Sequence, residues 1–159
     1  MKIRKAGIED VAQLIKVIEN VEESGNMLFD PGERTLSIEH AIQMISRVNV
    51  LVAVEDQRLL GYMMVKKDNP KRVAHKAYIA IGIHSEVRGW GIGAALFHAL
   101  FELAKQQQIH RLELTVLTTN EAALNLYQKM GFEIDGRKKD SLFINGEYKD
   151  EFCLSKLIS

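Results

Sequence analysis

The sequence predicts a mixed α/β domain with a partly antiparallel sheet, and three observations carry that reading. Stretches with apolar residues at helical spacing alternate along the chain with short β-rich runs. The resulting order, βααβββαβαββ, comprises about seven strands and about four helices. An Asn145-Gly146 pair also joins the last two β-rich runs, and that dipeptide is a strong hairpin signal.

The elements follow in order. Ile3 to Ala6 opens as a short strand, and Glu9 to Val21 places Val11, Leu14, Ile15, Ile18 and Val21 on one helical face. "ESGNMLFDPGER" breaks the period with Gly25, Pro31 and Gly32 and reads as a loop. Ser37 is a good N-cap for a second helix whose Ile38, Ile42 and Ile45 share one side. "NVLVAVED" and "RLLGYMMVKK" form a hairpin through Asp56-Gln57. After the polar "DNPKRVAHK", "AYIAIGI" (residues 77–83) is another strand. It runs into "EVRGWGIG" and then the helical "AALFHALFELAK". There Leu96, Leu100 and Leu103 line one side beside Phe97 and Phe101, opposite a wet stripe of His98, Glu102 and Lys105. So broad an apolar face suits a helix laid on a sheet. "RLELTVL" (residues 111–117) is the next strand, and "NEAALNLYQKM" a short helix capped by Asn120 and ended by Gly131. Phe132 to Gly136 and Glu147 to Leu157 are the final strands.

With no linker or repeat, the 159 residues read as one domain spanning 1–159. Hydrophobic residues make up 47% and charged residues 26%, the balance of an ordinary globule. Twenty-one basic residues balance twenty-one acidic ones, so net charge points to neither nucleic acid nor an anionic membrane. Cys153, the single cysteine, is expected to be a small buried apolar residue, and the five histidines show no metal spacing. The apolar strings are too short to span a bilayer and no signal peptide is evident, which leads to a cytoplasmic expectation.

Gly89, Gly91 and Gly93 fall between a strand and a helix, beside Arg88. A helix start presents unpaired N–H groups and partial positive charge, and glycines let an anion approach them closely. The stretch reads either as a pyrophosphate cradle or as a tight turn whose glycines only satisfy backbone geometry. A P-loop is excluded because Ala94-Ala95 follows the last glycine in place of Lys-Ser/Thr. The dinucleotide fingerprint fails as well, since Leu96 stands where its third glycine belongs.

Arg88-Gly89-Trp90-Gly91-Ile92-Gly93 resembles the Arg/Gln-x-x-Gly-x-Gly/Ala signature of the GNAT superfamily of N-acetyltransferases. "LELTVLTTNEAALNLYQKMGFEIDGRKKD" is similar to that superfamily's second landmark: a strand, Asn-x-x-Ala, then Leu-Tyr-x-Lys-x-Gly-Phe. The likeness runs over nearly the whole chain, in the right order, and the tail resembles that of small bacterial members. It implies acetyl-CoA as co-substrate, no metal, an amine acceptor, and a sheet splayed between its fourth and fifth strands with the cofactor in the gap. By the same resemblance, the backbone of Arg88, Gly89, Trp90, Gly91, Ile92, Gly93 and Ala94 grips the pyrophosphate. Ile81 and Ile83 offer backbone groups to the pantetheine arm and a donor to the thioester oxygen. Asn120 binds the cofactor amide, and Tyr127 faces the sulfur. Homodimers are an analogy with relatives.

Chemistry supports these roles. A leaving thiolate of pKa about 8.5 gains from a proton donor, and a phenol of pKa about 10 still carries its proton. That is the physical case for Tyr127 as general acid; the alternative is a half-buried helix residue that only packs on the sheet. A base is harder to place. Many relatives carry a glutamate where Tyr78 stands here, leaving Glu113, His84 and Glu55 as candidates beside a water relay or capture of free amine. Glu22, Glu23, Asp30 and Glu33 make the first loop acidic, either as a solvated face or as an attraction for a cationic amine. Phe29 in that loop is a candidate acceptor contact, and Trp90 either shields phosphates or covers the sheet edge. The leading expectation is direct transfer from acetyl-CoA to a primary amine, which includes small molecules, amino acids, polyamines and peptide N-termini. The alternatives are a non-catalytic acyl-CoA sensor and an enzyme for longer acyl groups.

Overall fold

The computed structural model describes residues 1–158. Its elements are β1 (Lys2–Lys5), α1 (Val11–Glu22), α2 (Ile38–Arg47), β2 (Asn49–Glu55), β3 (Arg58–Lys67), β4 (Lys76–Ile83), α3 (Ile92–Gln106), β5 (Arg111–Leu117), α4 (Glu121–Lys129), β6 (Glu133–Ile144) and β7 (Glu147–Leu157). The strands form one mixed sheet in the order β1-β2-β3-β4-β5-β7-β6. The β4–β5 pair is parallel, whereas β1–β2, β2–β3, β5–β7 and β6–β7 are antiparallel. Two compact units share this chain: Met1–Lys66 with Ile79–Leu103, and Lys67–Tyr78 with the chain from Ala104 onward. Among the described residues no helix is long and apolar enough to cross a membrane.

In the first unit α1 buries Leu14, Val17, Ile18 and Val21 against Val50, Val52, Leu59 and Tyr62 of the β2–β3 hairpin. The sequence expects this helix from Glu9, but residues Ile8–Asp10 form a tighter 3-10 turn first. The Asp10 carboxylate explains the turn, since it accepts the Gly7 N–H at 2.7 Å and two Arg4 N–H groups at 2.6 and 2.9 Å. Ser37 caps α2 as expected, its hydroxyl accepting the His40 N–H at 3.1 Å. The buried stripe of α2 differs from the expected one: Ala41 is buried with Met44, Ile45 and Val48 packed nearby, while Ile38 is 59% exposed. A helical side chain leans over the turn before its own Cα, and at the first helical position that places Ile38 outside the packed face. Asp56 and Gln57 close the β2–β3 hairpin with φ of 49° and 66°, the geometry of a two-residue turn matched to strand twist. Leu96, Phe97 and Leu100 are buried as the periodicity of α3 predicts, and Ile92 is buried with them, while Phe101 and Leu103 are only half-buried.

In the second unit β5 alternates cleanly. Leu112, Leu114 and Val116 are buried, and Arg111, Glu113 and Thr115 lie on the opposite, half-exposed face. Its parallel ladder with β4 pairs Lys76, Ala77 and Tyr78 with Arg111, Leu112 and Glu113. β6 extends eight residues past the Gly136 boundary expected from sequence, to Ile144. Residues 137–144 lack strand-like alternation because β6 lies at the sheet edge, where no layer requires an apolar face. Its register comes instead from β7, helped by an Arg137–Asp150 ion pair at 2.6 Å and the Asn145-Gly146 turn. Cys153 is only half-buried, opposite Thr115 on the open face of β7, because its strand register turns it away from the Leu154 core side.

Candidate functional site

In the first unit, a backbone turn stands at the end of β4. The His84 N–H donates to the Leu60 carbonyl at 2.9 Å, after which residues Ser85–Val87 make one 3-10 turn anchored by the buried Val87. Arg88 leaves this turn in an extended conformation and is itself exposed. Gly89 and Gly91 then adopt φ of +82° and +80°, a left-handed backbone that costs an L side chain strain. A Cβ placed on either would meet nothing within 4 Å, so both face open space. The Ala95 N–H bonds to the Gly91 carbonyl at 3.1 Å, which marks the first helical turn of α3. N–H groups preceding it have no intrahelical acceptor, and the dipole of a 15-residue helix adds positive potential there. Ile92 and Gly93 are buried, which fixes the helix end, while Trp90 is 60% exposed beside it. Ile81 and Ile83 are half-buried on the β4 segment leading in.

The second unit, taken by itself, holds Asn120 and Tyr127. The Asn120 Oδ1 caps α4 by accepting the Ala123 N–H at 3.3 Å. Gly131, at φ +95°, ends the same helix segment, and the Phe132 N–H returns to the Tyr127 carbonyl at 3.0 Å. Tyr127 is 8% exposed, with the Phe132 ring centroid 6.4 Å away. Burial pushes its phenol up to about 12, and the neighbouring Tyr78 phenol adds to the shift. Tyr78, at 45% exposure, shares a hydrogen bond of 2.7 Å with the Thr115 hydroxyl. The position where the resemblance leads one to expect a glutamate thus holds a phenol–hydroxyl pair near Tyr127.

The candidate bases all have partners. Glu113 lies between Lys76 at 3.4 Å and Arg111 at 3.5 Å. Arg111 also binds Asp135 at 2.6 Å, and a Ser155 hydrogen bond together with Arg111 holds the Asp135 carboxyl below the usual carboxylate range. In the first unit, the His84 Nδ1 accepts the Glu86 N–H at 3.1 Å, and Glu55 pairs with the N-terminal amine at 3.3 Å. Of the four acids expected to make the first loop acidic, Glu23, Asp30 and Glu33 are exposed as on a solvated face, whereas Glu22 lies at the end of α1 and departs from it. Glu22 is buried and paired with Arg34 at 2.9 Å, and the Arg34 guanidinium sits 3.9 Å over the Phe29 ring. Sequence reasoning missed this cluster, as it missed the Tyr78–Thr115 pair, because neither spacing has a period.

Residues 19–132 match the Acetyltransferase (GNAT) family. The chain is 31% identical over 111 residues to "L-amino acid N-acetyltransferase AaaT" of Escherichia coli (strain K12), covering 69% of this chain and 68% of that protein. An acetyltransferase of the GNAT family from Streptococcus pneumoniae superposes with a TM-score of 0.92 at 30% identity, covering 99% of both chains. The fold is also that of yncA, a putative acetyltransferase from Salmonella typhimurium solved with acetyl-CoA, with a TM-score of 0.91, 19% identity, and coverage of 100% of this chain and 94% of that one. The turn, the capped helix and the buried tyrosine are therefore set in a known framework: this chain belongs to the GNAT family of acetyltransferases.

Proposed function

We propose that this chain, working as one domain over its 159 residues, transfers the acetyl group of acetyl-CoA directly to a primary amine within a ternary complex. The observation that carries the proposal is the open glycine turn at the start of α3, where Gly89 and Gly91 leave room for an anion against main-chain N–H groups. The residues fit a pyrophosphate. Amides from Arg88 to Ala94 hold it, and the exposed Arg88 guanidinium adds a full charge. Backbone groups of Ile81 and Ile83 orient the arm, and an N–H there donates to the developing oxyanion, a bond worth about 3 kcal/mol. The Asn120 carboxamide spends Oδ1 on its cap and offers Nδ2 to the cofactor amide. Acetyl-CoA supplies the activated thioester.

Tyr127 is the proton donor at the departing sulfur, and burial keeps it in the donating, neutral form. No protein nucleophile takes part. The amine is captured as its free base, roughly one part in 2,500 at pH 7 for a side-chain-type amine of pKa about 10.4 and about a tenth for a peptide α-amino group of pKa about 7.7–8.0. Glu113 is already engaged by two cations, so the reading assigns it no proton to carry. The acceptor is placed near Phe29, whose ring Arg34 steadies, and α-amino groups of amino acids or peptides are the class favoured by the likeness to an L-amino acid N-acetyltransferase.

The test is calorimetric titration with acetyl-CoA, followed by thiol release across the twenty L-amino acids, a polyamine and an alanine-starting peptide. Saturable binding with thiol release on at least one amine is expected. Binding without release on any amine would favour an acyl-CoA sensor, and absence of binding would remove the cradle.

A further inference from the structure

The 3-10 turn Ser85–Val87 stands immediately before the glycine stretch, and each of its three N–H groups has a partner. The Val87 N–H bonds the His84 carbonyl at 3.1 Å, and the Glu86 N–H bonds the His84 Nδ1 at 3.1 Å. The Ser85 N–H is satisfied from outside the turn, by the Asn20 Oδ1 at 2.9 Å. The Asn20 Nδ2 then donates to the Ser85 Oγ at 3.0 Å, so one carboxamide grips one serine twice. A backbone N–H can only donate, which fixes the amide orientation: oxygen toward Ser85 N, nitrogen toward Ser85 Oγ.

Asn20 sits in the last turn of α1, a position where asparagine is a poor helix former. That turn is itself immobilised. Val21 is buried, and Glu22 is buried in its ion pair with Arg34. On the far side Glu86 is tied to Arg58 at 2.6 Å. The chain therefore enters Arg88 from a point fixed to α1 and β3, while Gly89 and Gly91, just beyond, have open space around them.

We propose that Asn20 is a positioning residue for the pyrophosphate turn: its double hydrogen bond to Ser85 sets where the amides of residues 88–94 begin. The inference rests on the reading of that turn as the pyrophosphate site. Asn20 lies outside the turn and is not expected to touch the ligand, so its effect falls on the geometry of the amides alone.

The variants are Asn20→Ala, Ser85→Ala and the double substitution, each titrated with acetyl-CoA by calorimetry. Asn20→Ala removes both hydrogen bonds and should weaken acetyl-CoA binding about fivefold, and Ser85→Ala, which keeps the N–H leg, by less. The double variant should match Asn20→Ala, because both changes remove the same contact. A merely structural loss is separated by S-acetylpantetheine, an acetyl donor without pyrophosphate. Its kcat/KM should stay at the wild-type value in Asn20→Ala, as should the KM for the amine. If Asn20→Ala does not fold, Ser85→Ala alone decides. Wild-type affinity in the folded variants, or equal losses for both donors, overturns this inference while leaving the cradle intact. A wild-type protein that does not bind acetyl-CoA overturns the underlying reading and this inference with it.

Discussion

Replacing Gly91 by alanine separates what the turn costs the fold from what it does for a ligand. Gly91 holds φ +80°, and a Cβ there would meet nothing within 4 Å, so alanine brings strain without a clash. Left-handed backbone costs an L-residue about 1–2 kcal/mol. For a chain of this length that lowers Tm by about 2–8 °C. Gly146 provides a matched control: its φ is +79°, its surroundings are equally open, and it turns the β6–β7 hairpin. Gly146→Ala should show the same fall in Tm. The two variants should differ once ligand is added, because a methyl at position 91 occupies the volume a phosphate oxygen needs beside the amides. Losing two charge-assisted hydrogen bonds costs about 3 kcal/mol or more, which is roughly a hundredfold in Kd. Calorimetry with acetyl-CoA reads that difference, and thermal unfolding reads the strain. If Gly91→Ala binds acetyl-CoA as tightly as Gly146→Ala does, the diphosphate does not rest on this turn.

Tyr127→Phe should lower kcat by about a hundredfold or more while leaving the acetyl-CoA Kd nearly unchanged; equal turnover removes the acid role. The same phenol carries a stability signature. Its folded pKa of about 12 lies above the unfolded value of 10.0, so its contribution is complete below pH 10 and is lost as pH rises through about 12. Urea unfolding of wild type should therefore weaken over that window by roughly 2–3 kcal/mol more than unfolding of Tyr127→Phe. On the acid side, the Arg4 hydrogen bonds and the Gly7 N–H hold the Asp10 carboxyl below its usual range. The stability it adds is present above the ordinary carboxylate pKa and falls away as pH drops through the lowered value. Asp10→Asn should cost about 1.5–3 kcal/mol at pH 7 by chemical denaturation, and an unchanged midpoint would show the pair to be idle.

Periodicity decided how legible each element was. The β5 and β7 strands, the Asp56-Gln57 turn and the caps at Ser37 and Asn120 were readable because short-range chemistry dictates them. The far half of β6 was not, since an edge strand takes its register from its neighbour, as Arg137 does from Phe152 on β7, fifteen residues on. In the site, the glycine turn was visible as a spacing, while the partners of the side chains were not. Glu22 looks like one more acid in a polar loop until the fold brings Arg34 to it, twelve residues on. Tyr78 reads as a missing glutamate until β5 brings the Thr115 hydroxyl within 2.7 Å. Such pairings depend on tertiary register, which a local pattern does not encode.

Burial also limits what Tyr127 can do with its proton. A phenol at about 12 is loaded as a donor across the working range of pH. Full transfer to a thiolate of pKa about 8.5 is nevertheless uphill by roughly 3.5 units, or about 5 kcal/mol. The phenol therefore hydrogen-bonds the departing sulfur, and gives up its proton only as another replaces it. The attacking nitrogen has one surplus proton to lose, so it can reload the phenolic oxygen as that oxygen donates. Neither hydroxyl of the Tyr78–Thr115 pair is basic enough to intercept that proton, and the carboxylates on this face of β5 and β7 are engaged, Glu113 by Lys76 and Arg111 and Glu151 by the Ser141 hydroxyl. The rate limb should then belong to the amine. The kcat/KM for the acceptor should rise tenfold per pH unit up to the amine's own pKa, and acceptors of lower pKa should shift the limb by the same interval. An inflection between pH 5 and 7 that stays in place as the acceptor changes would identify a protein base, and the free-base mechanism would fall.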